Sequence, residues 1–168
     1  MKRVAKFEKV SFNEFLKSME GFNLKESEVK EIYDGIKMPM RATKKSAGYD
    51  FYMPFKASIK YSEALCIPTG IKAKIKGDYV LLIFPRSGLG FKYQLTLANT
   101  VGIIDADYYN ADNEGHIMIK LVNRSLKEEE ITIDKGKGFA QGIFMQYGIT
   151  FDDCADGERK GGFGSTGK

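Results

Sequence analysis

Residues 71–75 read Ile-Lys-Ala-Lys-Ile, and residues 117–121 read Ile-Met-Ile-Lys-Leu. In both stretches every second residue is aliphatic, which is the period of a β-strand with one buried face. Similar short runs, separated by Gly, Pro, Asp and Asn, continue the pattern, and together they occupy residues 48–52, 57–61, 64–67, 70–75, 79–84, 94–99, 116–123, 130–133 and 142–147. This spacing predicts an antiparallel all-β fold, a sandwich or a jelly-roll barrel, and argues against a βαβ fold.

The residues before 38 show a different pattern from the short alternating stretches that follow. Its first ten residues predict a short edge strand. Ser11 and Glu14 then have the spacing of a capping box, in which each side chain bonds the other's free backbone N–H. We therefore expect a helix to about residue 19, with an apolar face formed by Phe12, Phe15, Leu16 and Met19.

A second helix is expected over residues 24–33, capped by Asn23 with Glu26 three residues later. Residues 1–37 are thus predicted to be a helical addition that packs over the end of the main body. A protein partner bound through these helices is the alternative role.

Composition limits the classes of function. The 168 residues fit one main domain, and 26 basic against 22 acidic residues give a net charge of +4. The charges are well mixed and no compact Lys/Arg block is present, so direct nucleic-acid binding is not expected.

Cysteine and histidine are sparse. Cys66 and Cys154 lie far apart without a pairing pattern, and His116 is the only histidine, so neither a disulfide framework nor a multi-histidine metal site is indicated. The N-terminus lacks a long apolar run, and no later stretch approaches 18 consecutive apolar residues. We expect a soluble, cytoplasmic protein without a membrane partner.

The stretch 99–110 concentrates polar chemistry. It starts at Asn99, passes Gly102, and then presents Asp105, Asp107 and Tyr108 close together. Gly102 permits close approach of a ligand, and two carboxylates beside a ring suit a hairpin pocket with a catalytic acid. Acidic residues are also common in ordinary turns, and this alternative stays open on local composition alone.

The last residues, 156–168, contain glycines around Phe163 together with Arg159. Such a sequence is too rich in glycine to hold a fixed backbone alone, so we predict a mobile tail. It suits either a disordered terminus or a flap that grips a phosphate and a base.

Five separated stretches resemble, in order, the five motifs of the trimeric all-β deoxyuridine triphosphatases (dUTPases). They are residues 47–51, 85–89, 101–108, 138–142 and 159–167. The resemblance covers residues 38–168 and leaves out the N-terminal helices. It implies a distorted jelly-roll β-barrel over 38–155 and a flexible, glycine-rich C-terminal arm over 156–168 that closes over the active site.

The resemblance implies hydrolysis of dUTP to dUMP and pyrophosphate, which supplies dUMP and limits uracil in DNA. Asp105 matches the residue that activates water for attack on the α-phosphorus, and Asp50 and Asp107 match supporting acids near Arg86. The substrate-binding positions are Arg86, Ser87, Gly88, Asn99, Gly102, Ile103, Ile104, Tyr108, Gln141, Arg159, Phe163, Gly164, Ser165 and Thr166.

Within that set, Asn99 with the backbone of 103–104 would read uracil, and Tyr108 would pack on deoxyribose and exclude UTP. Phe163 would stack on the base. The implied cofactor is Mg²⁺, held mainly by the substrate phosphates and water and not by protein ligands. The implied assembly is a homotrimer with shared active sites.

Departures from the common pattern are also present. Tyr109 and Asn110 stand where Arg-Gly is usual, an extra loop follows over 111–115, and Gly138 replaces a common Arg or Lys. One residue fewer separates Arg159 from Phe163, which leaves open whether Arg159 or Lys160 contacts the phosphates.

Two alternative functions remain. A dCTP deaminase would share the fold, but Lys120 stands about where its catalytic glutamate should be, and lysine cannot perform that proton transfer. A regulatory module of the dUTPase fold could instead dock a protein through the N-terminal helices or the loop 111–115.

Overall fold

The computed structural model describes residues 2–157 and residue 161. The chain is mostly β. The strands are β1 Ala5–Lys9, β2 Met40–Arg41, β3 Tyr49–Tyr52, β4 Ala57–Ile59, β5 Ala64–Pro68, β6 Ile71–Ile75, β7 Tyr79–Pro85, β8 Leu95–Leu97, β9 Gly102–Ile104, β10 Met118–Asn123, β11 Ile131–Ile133 and β12 Gly138–Gln146. The helices are α1 Phe12–Ser18, α2 Glu26–Asp34, α3 Ser87–Tyr93 and a 3-10 helix over Ala106–Asn110.

All strand pairs are antiparallel. The largest sheet has five strands in the order β2-β3-β12-β7-β9, and a three-stranded sheet has the order β5-β10-β8. Strand β1 pairs with β6, and β11 pairs with β4. Four of the motif stretches thereby enter one sheet, because β3, β12, β7 and β9 each carry or adjoin one of them.

Burial follows the alternation that predicted the strands. In β6, Ile71, Ala73 and Ile75 are buried, whereas Lys72 and Lys74 are not. In β10, Ile119 and Leu121 are buried and Lys120 between them is exposed. The mostly β prediction is confirmed, and each predicted strand run contains a strand.

The N-terminal residues belong to the same hydrophobic core as the strands. Residues 5–9 form the expected short strand, and the core includes Val10, Phe15, Met19, Val29 and Ile36 beside residues of β3, β6, β7 and β10. Within the described residues, no helix has the length and apolarity needed to cross a bilayer.

Both predicted caps need correction. Glu14 N donates to Ser11 Oγ at 3.1 Å, but Ser11 N donates to Glu114 Oε2 at 2.9 Å, so a distant residue takes the place of Glu14. The second helix begins at Glu26, and Asn23 lies outside it with φ +53°. Glu28 Oε2 accepts from Lys25 N at 2.8 Å and makes the terminal bond there.

Two further local predictions are wrong. Ser87 and Gly88, which the resemblance to dUTPases places in a phosphate-holding loop, begin α3. The stretch 99–110, expected to be a hairpin, is not one, because its strand β9 pairs with β7 and a 3-10 helix follows, whereas the preceding strand β8 pairs with β10. A tight turn joins β8 and β9, in which Val101 N donates to Asn99 O at 2.7 Å.

Phe15→Ala tests how far α1 contributes to the core. Phe15 is 0% exposed and packs near Tyr33 and His116, so truncation should lower the free energy of unfolding by about 3–5 kcal/mol. Urea unfolding followed by circular dichroism measures this loss. Asn13→Ala, on the exposed face of the same helix, is the matched control, and equal small losses for both variants would contradict the packing.

Candidate functional site

Arg86 joins three of the motif stretches. It follows the last residue of β7, and its Nε lies 3.3 Å from Asp50 Oδ1 on β3. Its Nη1 donates to the carbonyl of Gly138 on β12 at 3.3 Å. The Arg86 side chain is 44% exposed, so it is anchored on one side and keeps surface available for an anion.

The backbone of β12 fits closely against this group. A Cβ at Gly138 would lie 2.6 Å from Arg86 Nη1, and a Cβ at Gly48 would lie 2.7 Å from Gln141 Oε1. Gln141 is in register with Asp50 on one side and with Phe84 on the other. A side chain at 138 would thus displace the end of the Arg86 side chain, and glycine leaves room for the observed Arg86 position.

Ser87 and Gly88 form the first turn of α3 directly after Arg86. Backbone N–H groups in a first helical turn have no partner within the helix and favour negative charge. Arg86, Ser87 and Gly88 therefore offer a guanidinium, a hydroxyl and backbone donors at one edge of the sheet. Nearby, burial and the Asp50 carboxylate raise the pKa of Tyr52.

A cavity of about 430 Å³ lies beside β9. Its wall includes Asn99, Gly102, Ile103, Ile104 and Tyr108 from one predicted motif. Cys66 and Lys120, paired across β5 and β10, line it as well. The cavity has the size and the mixture of apolar wall and backbone polar groups of a small-ligand site.

Asp105 and Asp107 line a second cavity, of about 590 Å³, on the adjoining surface. Asp105 precedes the 3-10 helix as its N-cap residue, and its carbonyl accepts from Tyr108 N at 3.2 Å. Ile103 lines both cavities. The two acids are thus adjacent to the cavity beside β9.

The arginine and the acids are far apart within one chain. Ile104 pairs with Leu81, so Asp105 follows β9 next to the Val80 end of β7, whereas Arg86 follows Pro85 at the other end. At about 3.3 Å per residue, the intervening stretch of β7 places them on the order of 20 Å apart. The structure brings Arg86, Asp50 and Gln141 together, but Asp107 does not lie beside the Arg86 of its own chain.

Tyr108 is 5% exposed, and residues that follow it in the chain hydrogen-bond its phenol. The hydroxyl donates to His116 O at 2.9 Å and accepts from Asn113 Nδ2 at 2.8 Å. These two partners were not anticipated. The Asn-Glu-Gly run at 113–115 was the available signal, since such residues favour tight turns.

His116 is fully buried and its ring accepts a hydrogen bond at Nε2 from Gly70 N at 2.8 Å. The other nitrogen, Nδ1, faces Glu14 Oε1 at 3.7 Å. Burial lowers the pKa of His116 to about 4, with Glu114 opposing the shift, so the ring is neutral at pH 7.

The predicted arm residues Arg159, Phe163, Gly164, Ser165 and Thr166 lie outside the described residues, as does Lys160. Among the residues that are described, no three acidic, His or Cys side chains cluster to hold a metal. Two carboxylates at one cavity fit a Mg²⁺ that is carried mainly by a phosphorylated ligand and water, the usual arrangement for that ion.

Comparisons of the sequence and of the structure with known proteins find the same family, the dUTPases. The family model described as dUTPase matches residues 34–167. A deoxyuridine 5'-triphosphate nucleotidohydrolase of Lactococcus lactis subsp. lactis is 43% identical over 136 residues, which is 79% of this chain and 89% of the relative.

Solved structures similar to this chain are dUTPases as well. A dUTPase from Streptococcus mutans has a TM-score of 0.64 at 30% identity, covering 86% of this chain and 97% of the other. A point mutant of the dUTPase from phage phi11 of S. aureus, a structure that reveals coordination of a structural Mg(II) ion, has a TM-score of 0.63 at 20% identity, covering 92% of this chain and 98% of the other.

The single histidine permits a direct test of the site's interior. In untagged protein labelled with ¹³C-histidine, NMR should show the His116 ring titrating at about pH 4 and not at 6.5. Between these values the unfolded chain binds the proton and the folded chain does not, so stability should fall as pH drops from 6.5 toward 4. A midpoint near 6.5 would mean that the ring reaches solvent.

Proposed function

This chain belongs to the dUTPase family and is a dUTP diphosphatase, and we propose that it cleaves dUTP at the α-phosphorus with Asp105 as general base. The products are dUMP and pyrophosphate, so the enzyme supplies dUMP and limits uracil in DNA. In this proposal, residues 38–155 are the barrel that carries the reaction, and residues 156–168 are the arm that closes over it.

Asp105 lines the second cavity, which adjoins the cavity beside β9. A water near the α-phosphorus would lie in this second cavity. The Asp105 carboxylate takes a proton from that water as the new O–P bond forms. The bond to the bridging oxygen breaks, and pyrophosphate leaves with the electron pair. A positioned base of this kind contributes about 10²–10⁴-fold to the rate.

The cavity beside β9 takes the nucleoside. Asn99 and the backbone of Ile103 and Ile104 present fixed donors and acceptors to the edge of uracil. Cytosine would leave them unpaired at ~1–3 kcal/mol for each group. The Tyr108 ring, which lines the same cavity, packs on deoxyribose where a 2′-hydroxyl would collide.

The triphosphate binds at Arg86. The guanidinium, the Ser87 hydroxyl and the Gly88 N–H contact the phosphates, and Gln141 orients the α-phosphate or the water. Asp50 keeps the guanidinium in place through its ion pair. A Mg²⁺ carried by the substrate and water would balance part of the negative charge and would make pyrophosphate a better leaving group.

The distance between Arg86 and Asp105 along β7 supports the proposal that neighbouring chains share each active site. A triphosphate nucleotide must reach Asp105 and Arg86 at once, and one chain holds these residues on the order of 20 Å apart, at opposite ends of one strand. Copies arranged as a homotrimer satisfy both requirements, with Asp105 from one chain and Arg86 from its neighbour. Phe163 and Arg159, with Gly164, Ser165 and Thr166, then close over base and phosphates.

Asp105→Asn tests the base. The substitution keeps size and polarity, so a non-hydrolysable imido analogue of dUTP should bind as to the parent, while kcat falls about 10²–10⁴-fold. Asp112→Asn, in the exposed loop nearby, is the control of equal charge change. Pyrophosphate release from dUTP, dCTP, UTP and dTTP, with ammonia assayed in parallel, also tests the deaminase alternative. Parent-like turnover by Asp105→Asn would refute the assignment.

Mixed assemblies test the shared site. Asp105→Asn and Arg86→Ala chains should each be inactive alone, but unfolding and refolding them together in equal amounts should restore roughly a quarter of the sites, because those pair two intact residues from different chains. Parent protein refolded alone sets the recoverable activity. Complete inactivity of the mixture would place both residues in the same site of one chain.

A further inference from the structure

The loop that follows Tyr108 is the place where the N-terminal addition contacts the site. Glu114 lies in this loop and accepts two hydrogen bonds from Ser11, one from the backbone N at 2.9 Å and one from Oγ at 2.5 Å. Ser11 is the residue that caps α1. One carboxylate thus fixes the start of the helix to the loop, and these bonds lower the pKa of Glu114.

Tyr109 makes a second pair of contacts, with β1 and with β6. The Tyr109 hydroxyl donates to Glu8 on β1, and Lys72 Nζ lies 4.8 Å from the centre of the Tyr109 ring. The same lysine lies 3.6 Å from Glu114 Oε2. Tyr109 and the loop together therefore have charged or polar contacts with β1, with the cap of α1 and with β6.

On its other side the loop reaches the Tyr108 phenol. Asn113 Nδ2 donates to the phenol oxygen at 2.8 Å, and Asn113 Oδ1 accepts from Gly115 N at 3.2 Å, which fixes the amide orientation. Gly115 has φ +73°, and a Cβ there would lie 2.6 Å from Tyr108 O. The loop folds back against Tyr108 too closely for any other residue at 115.

We propose that Ser11, Glu114 and Asn113 act as a brace that positions Tyr108, so that the N-terminal addition helps to select deoxyribose over ribose. The brace runs from the cap of α1 through the Glu114 carboxylate and the loop backbone to the Asn113 amide and the phenol. None of its three residues lines the nucleotide cavity, so they act through Tyr108 as positioning residues. The selectivity part rests on the sugar-packing role proposed above.

The first readout does not depend on that role. In protein labelled with 3-fluorotyrosine, the ¹⁹F signal of Tyr108, assigned as the one lost in Tyr108→Phe, should shift in Asn113→Ala, Glu114→Ala and Ser11→Ala without any substrate. Glu28→Ala is the matched control, because Glu28 makes the equivalent terminal bond for α2 but does not contact the loop. An unchanged Tyr108 signal in the three brace variants would overturn the proposal.

The second readout is kinetic. Asn113→Ala should raise KM for dUTP about fivefold, the loss of one neutral hydrogen bond, with kcat nearly unchanged. It should also reduce the ratio of kcat/KM for dUTP to that for UTP, and Tyr108→Phe should reproduce both changes. Glu114→Ala and Ser11→Ala should follow in the same direction, and Glu28→Ala should match the parent.

Two results would count against selectivity by the brace. If Glu28→Ala weakens dUTP binding as much as Glu114→Ala, the effect is general loosening of the N-terminal addition. If the ¹⁹F signal shifts but the dUTP to UTP ratio does not, positioning holds and the brace has no part in selectivity. Retention of that ratio in Tyr108→Ala would locate the failure in the sugar-packing role itself.

Discussion

Antiparallel pairing along β7 is the constraint on which the site depends. The strand hydrogen-bonds to β12 on one side and to β9 on the other, and so it fixes Arg86 and the cavity lined by Asp105 and Asp107 relative to each other. Register along a strand with one buried face cannot slip by one residue without turning every side chain over. The distance between Arg86 and Asp105 of one chain is therefore a property of the sheet, and neither side chain can shorten it much by changing rotamer.

The sequence predicted what burial decides locally. The alternation at 71–75 and 117–121 located strands because one face of each is in the core. It failed for α3, whose seven residues include Gly88 and Gly90 and have weak intrinsic helix preference, so tertiary packing decides their state. The Ser11–Glu114 contact was invisible for another reason, since it joins residues 103 positions apart and no local signal encodes such a pair.

The candidate site was predictable to the extent that its motifs lie on strands. Asp50, Arg86 and Gln141 lie close together because β12 pairs with both β3 and β7. Within one chain Asp107 does not join them, since the register of β9 carries it to the other end of β7. The N-terminal addition lies outside the five motifs and the loop 111–115 departs from the family pattern, yet the two touch each other, and this relation appears only in three dimensions.

Ile103 has a consequence for how such an enzyme can change. It is 64% exposed and lies on a strand of only three residues. It borders both the cavity beside β9 and the cavity lined by Asp105 and Asp107. A larger or smaller side chain at 103 would alter the two walls together. With the roles proposed for the two cavities, a substitution at 103 would therefore change ground-state affinity and chemical rate at the same time.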